Sequence, residues 1–441
     1  MKNILLFGAG RSATCLIDYL LTNAPRQKWH VTVVDSDLML IKSKTGKSYY
    51  VTPVAIDIRD QQARQTLVEE TDLVISLLPP SLHILVAKDC LQYRRHLLTA
   101  SYTDPDVKKL EKDIRQAGLL FMYEMGLDPG IDHMSAMKVI HSIEKKGGLI
   151  YSFKSYCGGL ISPESNDNPW QYKITWNARN VVLAGQSGAT YKDKGKVKEL
   201  NHEQLFDQSK TIVIPGLGKL AFYPNRDSLT YMSSYNLDNI PTFMRATLRY
   251  PDFCEGWSAV IRLGLTDDSR KIQTDNLSYF KWATQHVKTD KQLSNEENVA
   301  LFLGVSSKSK VIRQLKYLGL LNGEVINQGE QTNAAVLQQV MESRLGMSPN
   351  DKDMIVMMHE IEFERRNIAT RMHSYMIVQG EDNLRTAMAK TVGLPLGITA
   401  KLLLQEKITL TGLHIPVMPE VYNPVLKELE EHDIRFEESF E

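Results

Sequence analysis

The glycine turn Gly8-Ala9-Gly10 narrows the possible folds of this chain more than any other feature. The apolar run Lys2–Phe7 stops there, apolar residues at Ala13, Leu16, Ile17 and Leu20 follow, and a β-branched run then ends in Asp35. The second group has helical spacing, so the order is strand, glycine turn, helix, strand, acid, which is a βαβ unit. The turn reads Gly8-Ala9-Gly10-Arg11-Ser12-Ala13, the dinucleotide fingerprint GxGxxG with alanine in its last slot. Gly8 permits the tight turn, Gly10 lets the backbone approach a pyrophosphate, and a small Ala13 lets the helix pack close to the strand. The pyrophosphate then meets the positive end of that helix, beside Arg11 and Ser12.

Asp35 adds a second requirement of the same ligand. A carboxylate at the end of the second strand accepts both ribose hydroxyls and repels a 2′-phosphate, so the expected cofactor is NAD. Lys42 and Lys44 nearby leave NADP open. Asp57, at the end of the next apolar run, either meets adenine or caps the helix DQQARQTLVEE. Further runs continue the alternation: DLVISLLPP, HLLTASYTDP and GLLFMYEMGLDPG. They end in turns at the carboxyl edge of a parallel sheet, where nicotinamide and substrate should meet. Leu78 and Pro79, Ser101 and Tyr102, and Met125-Gly126-Leu127-Asp128 belong to those turns, with Leu78, Pro79, Met125, Gly126 and Leu127 assigned to the cofactor.

Composition bounds the rest. With 441 residues the length prior is about three structural units. The formal net charge is zero, which argues against nucleic acid or anionic lipid as partner, since both are held by cationic excess. No apolar run is read as a membrane span or a signal peptide. Cys15, Cys90, Cys157 and Cys254 lie far apart without CxxC, which fits reduced thiols in the cytoplasm. From about residue 131 the texture changes to strand-like segments, YSFKSYCGGL, KTIVIPG and SLTYMSSY, among loops rich in Asn, Pro and Gly. The expected fold class is α/β: a Rossmann-type doubly wound parallel sheet with an α+β mixed-sheet domain carrying a helical insertion. The expected limits are 1–130 completed by about 385–441 for the first, 131–264 with 353–384 for the second, and 265–352 for the insertion.

The ordered motifs GAGRSATCLIDYL, SLLPPSLH, TASYTDP, YEMGLDPGIDHM, SYCGGLISPE, NPWQYKITWNARN, YPNRDSL, MRATLRYPDF and TVGLPLGITAKLLL resemble the saccharopine dehydrogenase family, L-glutamate-forming type, over nearly the whole chain. The resemblance implies oxidation of saccharopine to glutamate and 2-aminoadipate 6-semialdehyde, or the reverse condensation, by a homodimer. It also implies that Ser101, Tyr102, Asp128, Arg226, Thr247 and Arg249 hold the substrate, and that Asp128, Tyr102 and Cys157 are the proton shuttles. The chemistry fits: a tricarboxylate needs guanidinium forks such as Arg226 and Arg249, although Arg226 could simply pair with Asp227. Asp128 could instead cap the helix beginning near Ile131, and Cys157 could be a core residue. Ala246 stands where many relatives have glycine, a small change if the backbone there is not left-handed. A relative acting on another carboxyalkyl amine, such as carboxynorspermidine, would want carboxylates at Arg226 and Arg249; a non-catalytic dinucleotide-binding protein is the alternative of another class.

Three further signals are set aside. The histidines show no metal-ligand spacing, so no metal is expected. Gly185–Ala189 nearly spells a nucleophile elbow but ends in Ala. SKSKVIRQLKYLGLLNGE looks like a basic helix, yet it lies among the acidic stretches NEEN and NDKD.

Overall fold

A computed structural model describes residues 1–441. The chain forms two units, one of Met1–Leu149, Arg365–Ile368 and Met376–Ser439, the other of Ile150–Glu364, Ala369–Tyr375 and Phe440–Glu441.

The first unit is built on a seven-stranded sheet. Its strands are β1 (Lys2–Phe7), β2 (Trp29–Asp35), β3 (Val51–Ala55), β4 (Leu73–Ser76), β5 (His96–Thr99), β6 (Leu120–Met122) and a last strand, Gly412–His414. Their spatial order is Gly412–His414, β6, β5, β4, β1, β2, β3, and every pairing is parallel. The order reverses between β1 and β4, which is the doubly wound arrangement with its switch point at the glycine turn. Leu5, Phe7, Val34, Val74, Val86, Leu97 and Phe121 share one core.

The helix Ala387–Leu404 corrects the reading that no segment is a membrane-span candidate. By length and composition it could cross a membrane, with mean hydropathy 1.3, but 78% of it is buried inside the protein. Its apolar surface packs on the helix Thr14–Gln27: a Cβ on Gly393 would lie 2.8 Å from the Leu16 backbone nitrogen, and one on Gly397 2.5 Å from the Tyr19 ring.

The second unit carries a mixed sheet, ten strands in all, in which Lys210–Ile214, Gly218–Pro224, Thr242–Arg249, Leu149–Ile161, Asp353–Arg365 and Ile368–Gln379 lie side by side. The last two are joined by Arg366 and Asn367, both left-handed (φ 53° and 58°), so Arg365 ends one strand and the next begins only at Ile368. SLTYMSSY also departs from expectation. It forms two short helical turns, Leu229–Tyr231 and Ser233–Tyr235. Local side-chain bonds win there: Asp227 Oδ1 accepts from the Leu229 N–H, and the Thr230 hydroxyl donates to the Asp227 carbonyl. Helices between 279 and 344 bury Trp282, Leu315 and Leu337 in one core with Trp170, Phe253 and Trp257.

Candidate functional site

At the glycine turn the two glycines answer different needs. Gly8 has φ 98°, and a Cβ there would lie 2.8 Å from the Leu77 carbonyl oxygen, so any side chain would collide with the loop after β4. At Gly10 a Cβ would meet no protein atom within 4 Å. Packing therefore does not demand glycine at Gly10, whereas close approach of a phosphate would. The turn runs through exposed Arg11 and half-buried Ser12 to Ala13, 1% exposed, at the start of the helix Thr14–Gln27. These residues fit a dinucleotide pyrophosphate.

Asp35 is half-buried at the end of β2. Its Oδ2 accepts from the Ala9 N–H at 2.8 Å and its Oδ1 from the Ser36 N–H at 2.7 Å, so the carboxylate ties the glycine turn to the second strand. Lys44, on the helix Leu38–Thr45, donates to the Gly10 carbonyl. Burial pushes its ammonium down to about 8, Asp35 opposes that shift, and Arg11 adds to it. A cation thus stands near the Asp35 carboxylate.

Asp57 does not cap the following helix. Its carboxylate accepts from the Arg59 N–H at 2.9 Å, while Asp60, three residues on and next to the helix Gln61–Glu69, accepts from Ala63 N–H and is the cap. Leu78 is half-buried and Pro79 exposed. Pro80 opens a helical turn leading into the helix His83–Gln92, because proline is accommodated where the N–H lacks a helical partner. Beneath, Ser76 Oγ and His83 Nδ1 lie 2.8 Å apart, both buried, and burial pushes the imidazole down to about 4.

The turns after β5 and β6 are interlocked. Glu124 N–H donates to Ser101 O and Met125 N–H to Thr99 O, both at 3.0 Å. The segment from Gly126 to Gly130 then folds tightly on itself: a Cβ on Gly130 would sit 2.1 Å from the Gly126 carbonyl oxygen. Met125, Gly126 and Leu127 are buried. The Asp128–Pro129 peptide is cis. Asp128 does not cap the helix Ile131–Lys145, whose N-cap is Gly130 and carries no side-chain bond; the Gly130 N–H instead donates to Asp132. Asp128 Oδ1 accepts from the Tyr102 hydroxyl at 3.4 Å. A phenol and a carboxylate from two different turns therefore meet.

In the second unit, Arg245, Thr247 and Arg249 alternate along one strand and share a face. Thr247 is in register with Tyr223 on one side and Cys157 on the other. Cys157 is 6% exposed, so it is both a packed residue and the neighbour of a substrate candidate. Arg249 is 6% exposed, its guanidinium donates to Leu248 O at 2.9 Å, and its Nε has no hydrogen-bond partner. The guanidinium carbon lies 5.7 Å from the centre of the Tyr172 ring and 5.4 Å from that of Phe253. Burial works against its charge, but Tyr223 and Tyr172 hold its pKa above the usual arginine value. A buried cation of this kind has a donor left to meet a carboxylate. Ala246 is an ordinary extended residue, paired with Pro224 and Tyr156.

Arg226 is exposed and left-handed (φ 50°) in a two-residue strand against Ala189. Asp227 turns its Oδ1 to the Leu229 N–H. Next to Arg226, the Asn225 N–H donates to Arg245 O at 2.8 Å, which puts Arg226 beside the middle of the strand Thr242–Arg249. Sequence reasoning missed Arg245, whose guanidinium carbon lies 4.3 Å from the Tyr231 ring centre, and the buried pair Glu124 and His133, 2.9 Å apart. Gly185–Ala189 leads from a helix into a strand and is no nucleophile elbow. Lys310 and Lys316 of the basic helix pair with Asp252 and Glu296.

Two family models match the chain: Saccharopine dehydrogenase NADP binding domain over residues 4–122 and Saccharopine dehydrogenase C-terminal domain over residues 126–434. Alpha-aminoadipic semialdehyde synthase, mitochondrial, of Mus musculus is 34% identical over 446 residues, which cover 99% of this chain and 47% of the mouse protein. The chain thus spans about half the length of that relative. Saccharopine dehydrogenase (NADP(+), L-glutamate-forming) of Saccharomyces cerevisiae is 33% identical over 445 residues, covering 98% of this chain and 97% of its own. A solved structure, apo histidine-tagged saccharopine dehydrogenase (L-Glu forming) from Saccharomyces cerevisiae, matches with TM-score 0.88 at 31% identity, covering 100% of both chains.

Proposed function

The chain belongs to the saccharopine dehydrogenase family, and we propose that it oxidises L-saccharopine to L-glutamate and 2-aminoadipate 6-semialdehyde, or runs the reverse condensation, within lysine metabolism. The observation that carries this reading is Arg249, a buried guanidinium with an unpartnered Nε on a strand face it shares with Thr247. It is suited to a carboxylate of a substrate that has three.

A dinucleotide held by the glycine turn would supply the acceptor for a hydride from the lysine-derived ε-carbon on the secondary amine. The resulting imine is hydrolysed by water. Arg249 and Arg226 bind carboxylates, and Thr247 and Ser101 donate hydrogen bonds. Tyr102 and Asp128, already sharing a proton contact, take the amine proton and return it to the departing glutamate nitrogen. Cys157 packs beside Thr247 and is the third candidate shuttle.

Gly8, Gly10, Arg11, Ser12, Ala13, Leu78, Pro79 and Met125–Leu127 make up the dinucleotide site, and Asp35 favours NAD. NADP is a second reading with its own support: the matching family model and the fungal relatives carry NADP in their names, and Lys44 stands beside Asp35. The proposal includes a cytoplasmic homodimer, a three-part division with residues 265–352 as an insertion, and Asp57 near adenine. Reduced nicotinamide formed from saccharopine with either dinucleotide tests the activity. No reduction with either, or faster turnover of carboxynorspermidine, refutes it.

A further inference from the structure

Resting on that reading, we infer that Glu124 and His133 form a positioning pair that sets Tyr102 against Asp128. Glu124 bonds to one arm of the candidate site directly and reaches the other through His133. Its Oε1 accepts from the Thr103 N–H and the Thr103 hydroxyl, each at 3.0 Å. Thr103 follows Tyr102 directly, so these bonds fix the arm that carries the phenol. The other oxygen, Oε2, lies 2.9 Å from His133 Nε2. His133 sits in the first turn of the helix Ile131–Lys145, and its Nδ1 lies 3.7 Å from Asp132 Oδ2. Asp132 in turn accepts from the Gly130 N–H at 2.6 Å, which ends the arm carrying Asp128. A line of contacts thus runs from Thr103 through Glu124, His133 and Asp132 to Gly130, with the Tyr102–Asp128 pair spanning its two ends.

Stability alone does not account for this line. Glu124 is 4% exposed and His133 0%, and burying an ionisable pair gains little over well-packed apolar side chains. Glu124 also adopts φ 56°, a region that a non-glycine residue enters at a cost and that clusters where surroundings over-determine geometry. A residue that is both strained and buried, and that links one arm to the histidine leading to the other, is placed to hold them in register.

The test compares Glu124→Ala, Glu124→Gln and Thr103→Val in the full chain. Three quantities are read: steady-state constants for saccharopine, dinucleotide affinity, and ionisation of the Tyr102 phenol, taken as the near-ultraviolet difference between each variant and its Tyr102→Phe counterpart. Misplacing a reacting pair by about 1 Å costs up to ~100-fold. Glu124→Ala should therefore lower kcat by roughly thirtyfold with a smaller change in KM, and Thr103→Val by about threefold. Gln at 124 keeps an acceptor for Thr103 and a donor for His133, so it should recover most of kcat. Dinucleotide affinity should stay within about twofold, and the phenol titration should move in both Ala and Val variants. The inference is overturned if kcat falls only in proportion to the folded fraction, or if the titration does not move. Should Glu124→Ala not fold, Thr103→Val decides alone. A wild-type chain inactive on saccharopine would sink the functional reading, while the phenol titration would still judge the positioning pair.

Discussion

Replacing Asp35 separates what its carboxylate would do for the proposed cofactor from what it does for the fold. Its Oδ2 bond to the Ala9 N–H belongs to the protein and should affect every dinucleotide equally. A hydrogen bond from a ribose hydroxyl to a carboxylate contributes about 1.5–3 kcal/mol. Its loss should weaken NAD about ten- to a hundredfold. For NADP the sign reverses. A phosphate charge about 5 Å from the carboxylate, in a half-exposed place with an effective dielectric of roughly 40, is repelled by about 1–2 kcal/mol. Removing that repulsion and leaving Lys44 and Arg11 in place should tighten NADP about tenfold, less whatever the loosened turn costs. The ratio of the two dissociation constants should shift by about a hundredfold or more in Asp35→Ala. Asp35→Asn is the control, because its amide oxygen can still accept from Ala9. It should shift the ratio in the same direction with less loss of overall affinity. Titration calorimetry on the substrate-free protein measures both constants without turnover. A ratio unchanged in both variants would show that Asp35 does not stand at the ribose.

Arg249→Met should raise the saccharopine KM by about thirtyfold or more, the cost of one charged hydrogen-bonded contact, with dinucleotide affinity unchanged; Arg249→Lys should not restore it, because a point charge does not replace a planar fork. Equal loss of cofactor binding would point to a structural role for Arg249. Gly393→Ala should lower the melting temperature measurably, since its Cβ would stand 2.8 Å from the Leu16 backbone nitrogen and overpacking against backbone costs about 1–3 kcal/mol; an unchanged melting curve refutes the close packing. His83 gives a pH prediction. Its folded pKa is depressed from 6.5 to about 4, so between those values the unfolded chain binds more protons. Stability should therefore fall as pH drops from ~6.5 toward ~4, by up to about 3 kcal/mol. His83→Gln should flatten that part of the profile, and denaturant titrations across the window that show the same slope in both proteins would refute the buried neutral imidazole.

The sheet of the first unit was legible because its determinants are local. The first six strands are short apolar runs that alternate with helices, from which parallel order follows, so the doubly wound class could be read from the chain; the seventh, Gly412–His414, is too short to show there, and the C-terminal segment reads as adding helices alone. The misreadings share one cause, competition that a linear pattern does not reveal. SLTYMSSY has strand-like composition, yet Asp227 and Thr230 offer its backbone nearer hydrogen-bond partners than a neighbouring strand could. At Asp57 the residue type suited a cap, but Asp60 occupied the position with the right distance to Ala63. The Ala387–Leu404 helix is apolar on nearly every side because protein covers it, a condition that composition shares with a membrane span. Glu124 and His133 escaped detection for a different reason. Their partners lie at separations of 9 and 21 residues, which match neither a helical nor a strand period, and each alone is an unremarkable polar residue in an apolar stretch. Only the fold shows that such a carboxylate is buried and bonded on both sides, so the polar groups a sequence places where a core should be are the ones whose purpose must be sought in three dimensions.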